Sequence, residues 1–254
     1  IVAELRNPAP LLQIRLLAER NFGISMAVLT LFAIGMLGGT YLLPLYMQRG
    51  LGYTALAAGS MFLPVGVIQG VLSAVSGYLT RYVRPLLLSA AGILIMALSF
   101  WLASRFTLHT THGHILFILY LRGFGMGLTF APLNLFSLKN LTQQDMAAAA
   151  GISNSIKQLA GSIGIALLTV IFSARTSYHA AHETVSAAQT YVEGVTDALR
   201  VVAVITLAAL LPLLGVFRKK RPGKSGVKGA ATPSPGEAVS GKTDKTTIYR
   251  TKPE

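Results

Sequence analysis

Six apolar runs, each long enough to cross a bilayer and almost free of charge, constrain this chain more than any other feature. They occupy residues 24–46, 57–79, 86–104, 115–137, 149–173 and 198–217, that is 23, 23, 19, 23, 25 and 20 residues. A membrane-crossing helix needs roughly 20 apolar residues at about 1.5 Å of rise each. The first three runs hold no charged residue, and the last three hold one apiece: Arg122, Lys157 and Arg200. Backbone polar groups inside a bilayer find no water, so a span of this kind must be helical. The expected fold class is therefore all-α transmembrane, with six helices joined by short loops. Composition agrees, because 52% hydrophobic and 12% charged residues leave more apolar surface than a water-soluble domain of 254 residues can bury.

Charge divides the chain further. Residues 218–254 carry ten Lys/Arg and three acids, or +7 of the formal +13. This Gly/Pro/Ser-rich basic tail cannot bury a core and is expected to be disordered, lying against anionic lipid. It offers no folded basic face, so no nucleic-acid partner is expected. Counting Lys/Arg outside the six runs gives sixteen on the side of the two termini and three, Arg49, Arg105 and Arg175, on the other. The positive-inside bias then puts both termini in the cytoplasm. The expected organisation is a lead-in segment over 1–22, with an interfacial helix within Asn7 to Phe22, then a six-span bundle over 23–217, then the tail. No leader precedes the first stretch, and a chain opening on Ile1 is expected to lie inside a longer protein. Zero cysteines exclude disulfides, thiol catalysis and cysteine-type zinc sites.

Within the spans, small residues recur at helical spacing as Gly35-x-x-x-Gly39, Gly66-x-x-x-Gly70, Gly123-x-x-x-Gly127 and Ala160-x-x-x-Gly164, with Gly161 beside the last. Such faces let helix backbones approach closely, as fixed packing or as sliding surfaces. Pro44, Pro64, Pro132 and Pro212 lie in or near the ends of four spans and are positions where a helix can kink.

Polar groups at membrane depth carry the chemistry. Asn154, Lys157, Gln158 and Gly161 fall at i, i+3, i+4 and i+7, on one face of the fifth span. A cation there must face protein or water, because exposure to lipid costs at least about 2.5 kcal/mol. Lys157 therefore either lines a wet cavity and meets substrate or is a structural partner for carbonyls. Arg122 is open to the same two readings, a cavity residue or a clamp on backbone carbonyls. Tyr41, Gln69, Phe130 and Asn134 complete the candidate cavity set, although lone aromatics also serve in packing.

The five histidines, His109, His112, His114, His179 and His182, all fall in outer loops, where solvated imidazoles are the ordinary outcome. No metal site and no cofactor is expected. The outer loop Ala174 to Asp197, with its alanines and Glu193, is expected to form a short surface helix and shows no clear chemistry. No nucleophile with a base or metal triad lies within a span, so no enzyme is expected.

Several segments resemble the C-terminal half of a major facilitator superfamily drug:proton antiporter of the EmrB/QacA, fourteen-span type. Tyr41-Leu-Leu-Pro-Leu-Tyr-Met-Gln48, Gly52-Tyr-Thr-Ala-Leu-Ala-Ala-Gly59 and Leu63-Pro-Val-Gly66 are similar to its ninth-to-tenth span region. Arg122-Gly-Phe-Gly-Met-Gly-Leu-Thr-Phe-Ala-Pro-Leu-Asn134 is similar to its twelfth span. Ala150-Gly-Ile-Ser-Asn-Ser-Ile-Lys-Gln-Leu-Ala-Gly-Ser-Ile-Gly164 is similar to its thirteenth, with Lys157 where arginine is usual. Gly77-Tyr-Leu-Thr-Arg-Tyr-Val-Arg84 resembles the superfamily's cytoplasmic loop motif through Gly77, Arg81 and Arg84, without its acid.

The resemblance implies a six-helix bundle of two inverted three-helix repeats. It also implies that spans one, two, four and five line a central cavity, with the third and sixth as outer supports. The implied activity is multidrug efflux in a bacterial inner membrane, the chain supplying half of the substrate cavity and half of the rocking interface. The implied partners are the N-terminal half of the same transporter, an amphiphilic small-molecule substrate, protons and a periplasmic adaptor protein. Proton antiport needs a titrating carboxylate, and none of the six runs holds one, so that group is expected in the other half. Two alternatives remain open: an exporter of a defined metabolite such as a siderophore or amino acid, and a non-transporting membrane scaffold whose tail binds lipid or a partner.

Overall fold

The structure, a computed structural model, describes residues 15–139, 141–182 and 186–219. Among these residues there is no strand, and the α-helices are α1 (Arg15–Ala18), α2 (Arg20–Leu45), α3 (Ala55–Ser60), α4 (Leu63–Leu79), α5 (Pro85–Ala103), α6 (His112–Leu138), α7 (Gln143–His182), α8 (Ala187–Ala208) and α9 (Leu210–Lys219). They make six membrane-length segments, Arg20–Gly50, Ala55–Leu79, Pro85–Ala103, His112–Leu138, Asp145–Ala181 and Ala187–Leu213. Each overlaps one of the six apolar runs, the fifth running on past residue 173 and the sixth starting well before residue 198. The expected interfacial helix is a single turn, α1, within the described residues, and its first half lies outside them. The tail from residue 220 onward also lies outside them.

Local chemistry sets the helix boundaries. Thr54 accepts from the Ala57 amide at 3.2 Å and starts α3, and Ser186 accepts from the Gln189 amide at 3.3 Å and starts α8. Pro85 occupies the first turn of α5, where its missing N–H costs nothing. The four span prolines divide into two kinds. Pro44 and Pro132 lie inside α2 and α6. Pro64 stands in the first turn of α4, after a break at Met61 and Phe62, and Pro212 follows the break at Ala209. Those two mark interruptions, not kinks within a continuous helix. Just past Pro44, α2 widens into a π-helical turn over Tyr46–Gly50. Tyr46 is anchored there by its hydroxyl, which donates to the Thr107 carbonyl at 2.7 Å, and by stacking on Phe106.

The fifth helix departs most from expectation. Hydropathy confines the span to residues 149–173, yet α7 runs 40 residues without interruption, about 60 Å. Its far end, Ala174–His182, pairs with the start of α8, so most of the expected outer loop is a helical hairpin. Glu193 and Asp197, expected in that loop, belong to α8.

In the packing, α6 lies against α4 and α5, as α2 lies against α7 and α8, and α2 meets α6 at the centre. Exchanging the first three spans with the last three reproduces these contacts, in keeping with two three-helix repeats, although α7 packs on α8 while α4 hardly meets α5. Close approach uses glycine. A methyl on Gly125 would sit 2.8 Å from the Met96 amide and 2.9 Å from the Gly92 carbonyl oxygen, so α5 and α6 touch backbone to backbone. Gly164 meets the Ile34 carbonyl, Gly127 meets Gln69 and Leu72, and Gly123 meets Val65. Gly35, Gly39 and Gly161 contact Thr206, Phe100 and Leu37 respectively. Gly66 and Gly70 differ from the expected packing role, as does Gly77 in the loop motif, because each faces open space. On the same helix Leu63, Val67, Val71 and Val75 are all more than half exposed, an apolar face that nothing among the described residues covers.

Candidate functional site

The polar face of α7 meets α6 and α2 around a cavity of about 390 Å3. Leu29 of α2 and Phe130 and Leu138 of α6 supply apolar wall, and Phe130 is braced edge-on by Phe32 at 5.5 Å between centroids. Asn134 and Ser137 of α6 face Ala150, Ser153, Asn154 and Lys157 of α7 across the space. The spacing explains the convergence. Phe130, Asn134 and Ser137 fall at i, i+4 and i+7 on one helix, and Ala150, Ser153, Asn154 and Lys157 at i, i+3, i+4 and i+7 on the other. Leu138 closes α6, which puts the cavity at the end of the bundle where the α6–α7 turn lies.

Four of the eight expected cavity residues meet here: Phe130, Asn134, Asn154 and Lys157. The other four do not. Gln158 is exposed and lies outside the lining, and Gly161 packs on Leu37, so the lining face of α7 is rotated back from the expected one. Tyr41, 38% exposed, and Gln69 lie elsewhere. Arg122 is 2% exposed and belongs to the core between α2, α5 and α6. Its Nη2 donates to the Met36 carbonyl at 3.2 Å and to the Thr40 hydroxyl, and its guanidinium lies 5.4 Å from the centre of the Phe100 ring. Of its two readings, the clamp on α2 is the one the geometry contains.

Leu29, Leu138, Ala150, Ser137 and Ser153 were not among the expected residues. Ser137 was legible in principle, three residues beyond Asn134 on the same face. Ser153 Oγ donates to the Ala149 carbonyl at 2.7 Å and is satisfied within its own helix. Ser137 Oγ is buried and has no hydrogen-bond partner. The side chains of Asn134, Asn154 and Lys157 make no hydrogen bond or ion pair among the described residues.

A second polar cluster joins α7 to α8 at the hairpin. His179 Nε2 lies 3.1 Å from Asp197 Oδ2 and its Nδ1 lies 3.5 Å from Glu193 Oε2. Asp197 also pairs with Arg200 at 2.8 Å and with Arg175 at 3.9 Å. His179 is thus interhelical, not a free loop residue, and the side chain of His182 lies outside the described residues. No group of three or more His, Cys, Asp or Glu suited to a metal occurs among the described residues. In the loop-motif remnant, Arg81 stacks on Tyr78 at 5.4 Å and Arg84 precedes α5 as its cap.

Six helices of membrane length, three of them lining a mostly apolar cavity with a few polar groups, define an integral membrane protein of the transporter class. The chain belongs to the Major Facilitator Superfamily, whose family profile matches residues 2–165. Among curated proteins it is 30% identical over 179 residues to the uncharacterized MFS-type transporter YhcA of Bacillus subtilis, covering 70% of this chain and 34% of that protein. It is 33% identical over 187 residues to the multidrug export protein EmrB of Escherichia coli, covering 73% and 36%. It is 29% identical over 179 residues to the fatty acid resistance protein FarB of Neisseria gonorrhoeae, covering 70% and 35%. The chain thus spans about a third of the length of these relatives. The expected resemblance to EmrB-type transporters holds.

Proposed function

We propose that the chain is the C-terminal bundle of a secondary active multidrug exporter and contributes half of its substrate cavity. The observation that carries this is the cavity between α2, α6 and α7, where Lys157, Asn134 and Asn154 offer unengaged polar groups beside Phe130 and Leu29. An apolar wall with a few convergent polar groups is the ordinary composition of a small-molecule site. The similarity to a protein named for multidrug export supports the same reading. Its partner is an N-terminal bundle of the same protein, docking on the uncovered face of α4 where Gly66 and Gly70 lie open beside Val67 and Val71. That face is the moving surface in alternating access. Both termini are cytoplasmic, by the charge count, in a bacterial inner membrane, and the cavity then lies toward the cytoplasmic end. Proton coupling resides in the N-terminal bundle, a periplasmic adaptor receives the substrate, and the basic tail rests on anionic lipid.

The test is export of a fluorescent drug from cells expressing the full-length gene product. Lys157→Ala combined with Asn154→Trp is expected to abolish export at unchanged membrane abundance. Undiminished export by that double variant would remove the cavity from the transport path.

A further inference from the structure

We infer that His179, Glu193 and Asp197 form a pH-sensitive latch, which ties the far end of α7 to α8 at low pH and lets go as the pH rises. It lies at the opposite end of α7 from the cavity and is independent of what that cavity binds. Both ring nitrogens of His179 face carboxylate oxygens of α8, Nε2 the Asp197 Oδ2 at 3.1 Å and Nδ1 the Glu193 Oε2 at 3.5 Å. An ionised carboxylate accepts hydrogen bonds and donates none, and a neutral imidazole carries a single N–H. Only the imidazolium can therefore donate to both acids at once.

Glu193 shows what the second proton is for. The Gln189 Nε2 donates to its Oε1 at 3.2 Å, whereas its Oε2 is buried with no hydrogen-bond partner. Among the described residues the one cation paired with it is His179. A neutral ring that donates to Asp197 turns a lone pair toward that buried oxygen, and two acceptors then face each other. Protonation replaces this opposition with a charge-assisted contact between two helices.

The other charges around the ring do not substitute for that proton. Arg175 and Arg200 reach Asp197 and oppose a further positive charge, but both are more than half exposed to screening water, and neither pairs with Glu193. His179 and Asp197 are only 16% and 19% exposed, so their attraction is screened less. From the π-helical turn, Arg49 lies beside the Tyr191 hydroxyl, and on α7 itself the Tyr178 ring stands edge-on to the imidazole at 5.7 Å. A histidine ordinarily titrates at about pH 6.5, so the latch is made below that range and released above it.

The experiment is amide hydrogen exchange of the full-length protein in lipid nanodiscs at about pH 5.5 and about pH 8, each rate divided by the intrinsic rate at that pH. Across residues 174–182 wild-type protection is expected to be about fivefold or more higher at the lower pH. His179→Gln, which takes up no proton, should give equal protection at both. His179→Arg, charged throughout, should also give equal protection, at a higher level than His179→Gln. Glu193→Gln should lose most of the pH difference, because its amide can donate to a neutral ring, while protection of residues 24–45 stays as in the wild type. Equal wild-type protection at the two pH values overturns the inference, as does a pH difference that survives His179→Gln. Should His179→Gln also lose protection over residues 24–45, it is misfolded, and a pH difference persisting in both His179→Arg and Glu193→Gln overturns the inference instead.

Discussion

Arg122 of α6 donates to the carbonyl oxygen of Met36 in α2 at 3.2 Å, a charge-assisted bond across the centre of the bundle. Met36 lies two turns before Pro44, and the same guanidinium reaches the Thr40 hydroxyl between them. The clamp therefore grips α2 along the stretch leading to its proline and π-helical turn. No acid pairs with Arg122 among the described residues, and its Nε and Nη1 are buried without partners. Removing the side chain loses hydrogen bonds from a charged group, about 1.5–3 kcal/mol each. Arg122→Ala should lower the thermal unfolding midpoint of the purified protein in detergent. Arg122→Lys should restore little of it, because an ammonium is more strongly hydrated than a guanidinium, is costlier to hold in this buried site and has no planar face to lay against the Phe100 ring. Full rescue by lysine would show that charge alone matters here.

Backbone contact between α5 and α6 at Gly92 and Gly125 leaves no room for a methyl group. Gly125→Ala should cost about 1–3 kcal/mol as overpacking, seen as lost expression or a lower unfolding midpoint. Gly70→Ala, on the open face of α4, should leave stability within about 0.5 kcal/mol. If an N-terminal bundle docks on that face, Gly70→Leu should impair export without loss of folded protein. Equal loss of stability in Gly70→Ala and Gly125→Ala would contradict the packing described.

Ser76 ties α4 to α6 through its hydroxyl, which donates to the Gly127 carbonyl at 2.9 Å. Interhelical hydrogen bonds in membrane bundles average about 0.6 kcal/mol. Ser76→Ala should therefore be mild alone, and a double-mutant cycle with Gly127→Ala should show coupling, because both changes alter one contact. Strict additivity in the two unfolding midpoints would place Ser76 outside the α4–α6 contact.

Asp197 is the hub of the outer hairpin, facing His179, Arg175 and Arg200. Arg200 is more than half exposed and its single pair is worth about 0.2–1 kcal/mol. Asp197→Asn should loosen the end of α7 more than Arg200→Gln does, read as faster amide exchange across residues 174–182. The reverse order would mean that Arg200, not Asp197, organises the cluster.

The six helices were legible because lipid imposes one rule, apolar length, that hydropathy reads directly. The far end of α7 was not, since Ala174–His182 is polar and a helix can continue past the point where apolarity stops. Lys157 and Asn154 stood out because lipid penalises a charge or an amide within an apolar run, so each must turn toward protein or water. Arg122 was ambiguous for the same reason, and only the position of Met36 in space separates a cavity cation from a carbonyl clamp. Gly66 and Gly70 share the spacing of the glycines that do pack, because spacing reveals which residues share a face and not what meets it. Ser137 was overlooked because a serine in an apolar helix usually satisfies itself on the preceding turn, as Ser153 does.

The length of α7 has a mechanical side. Lys157 and His179 are 22 residues apart on one unbroken helix, about 33 Å along a stiff rod. A tilt of roughly 5° pivoting at the cavity carries the hairpin end through about 3 Å, a displacement on the scale of a hydrogen bond. The ion pairs at Asp197 thus stand at the far end of a lever whose fulcrum is the cavity around Lys157.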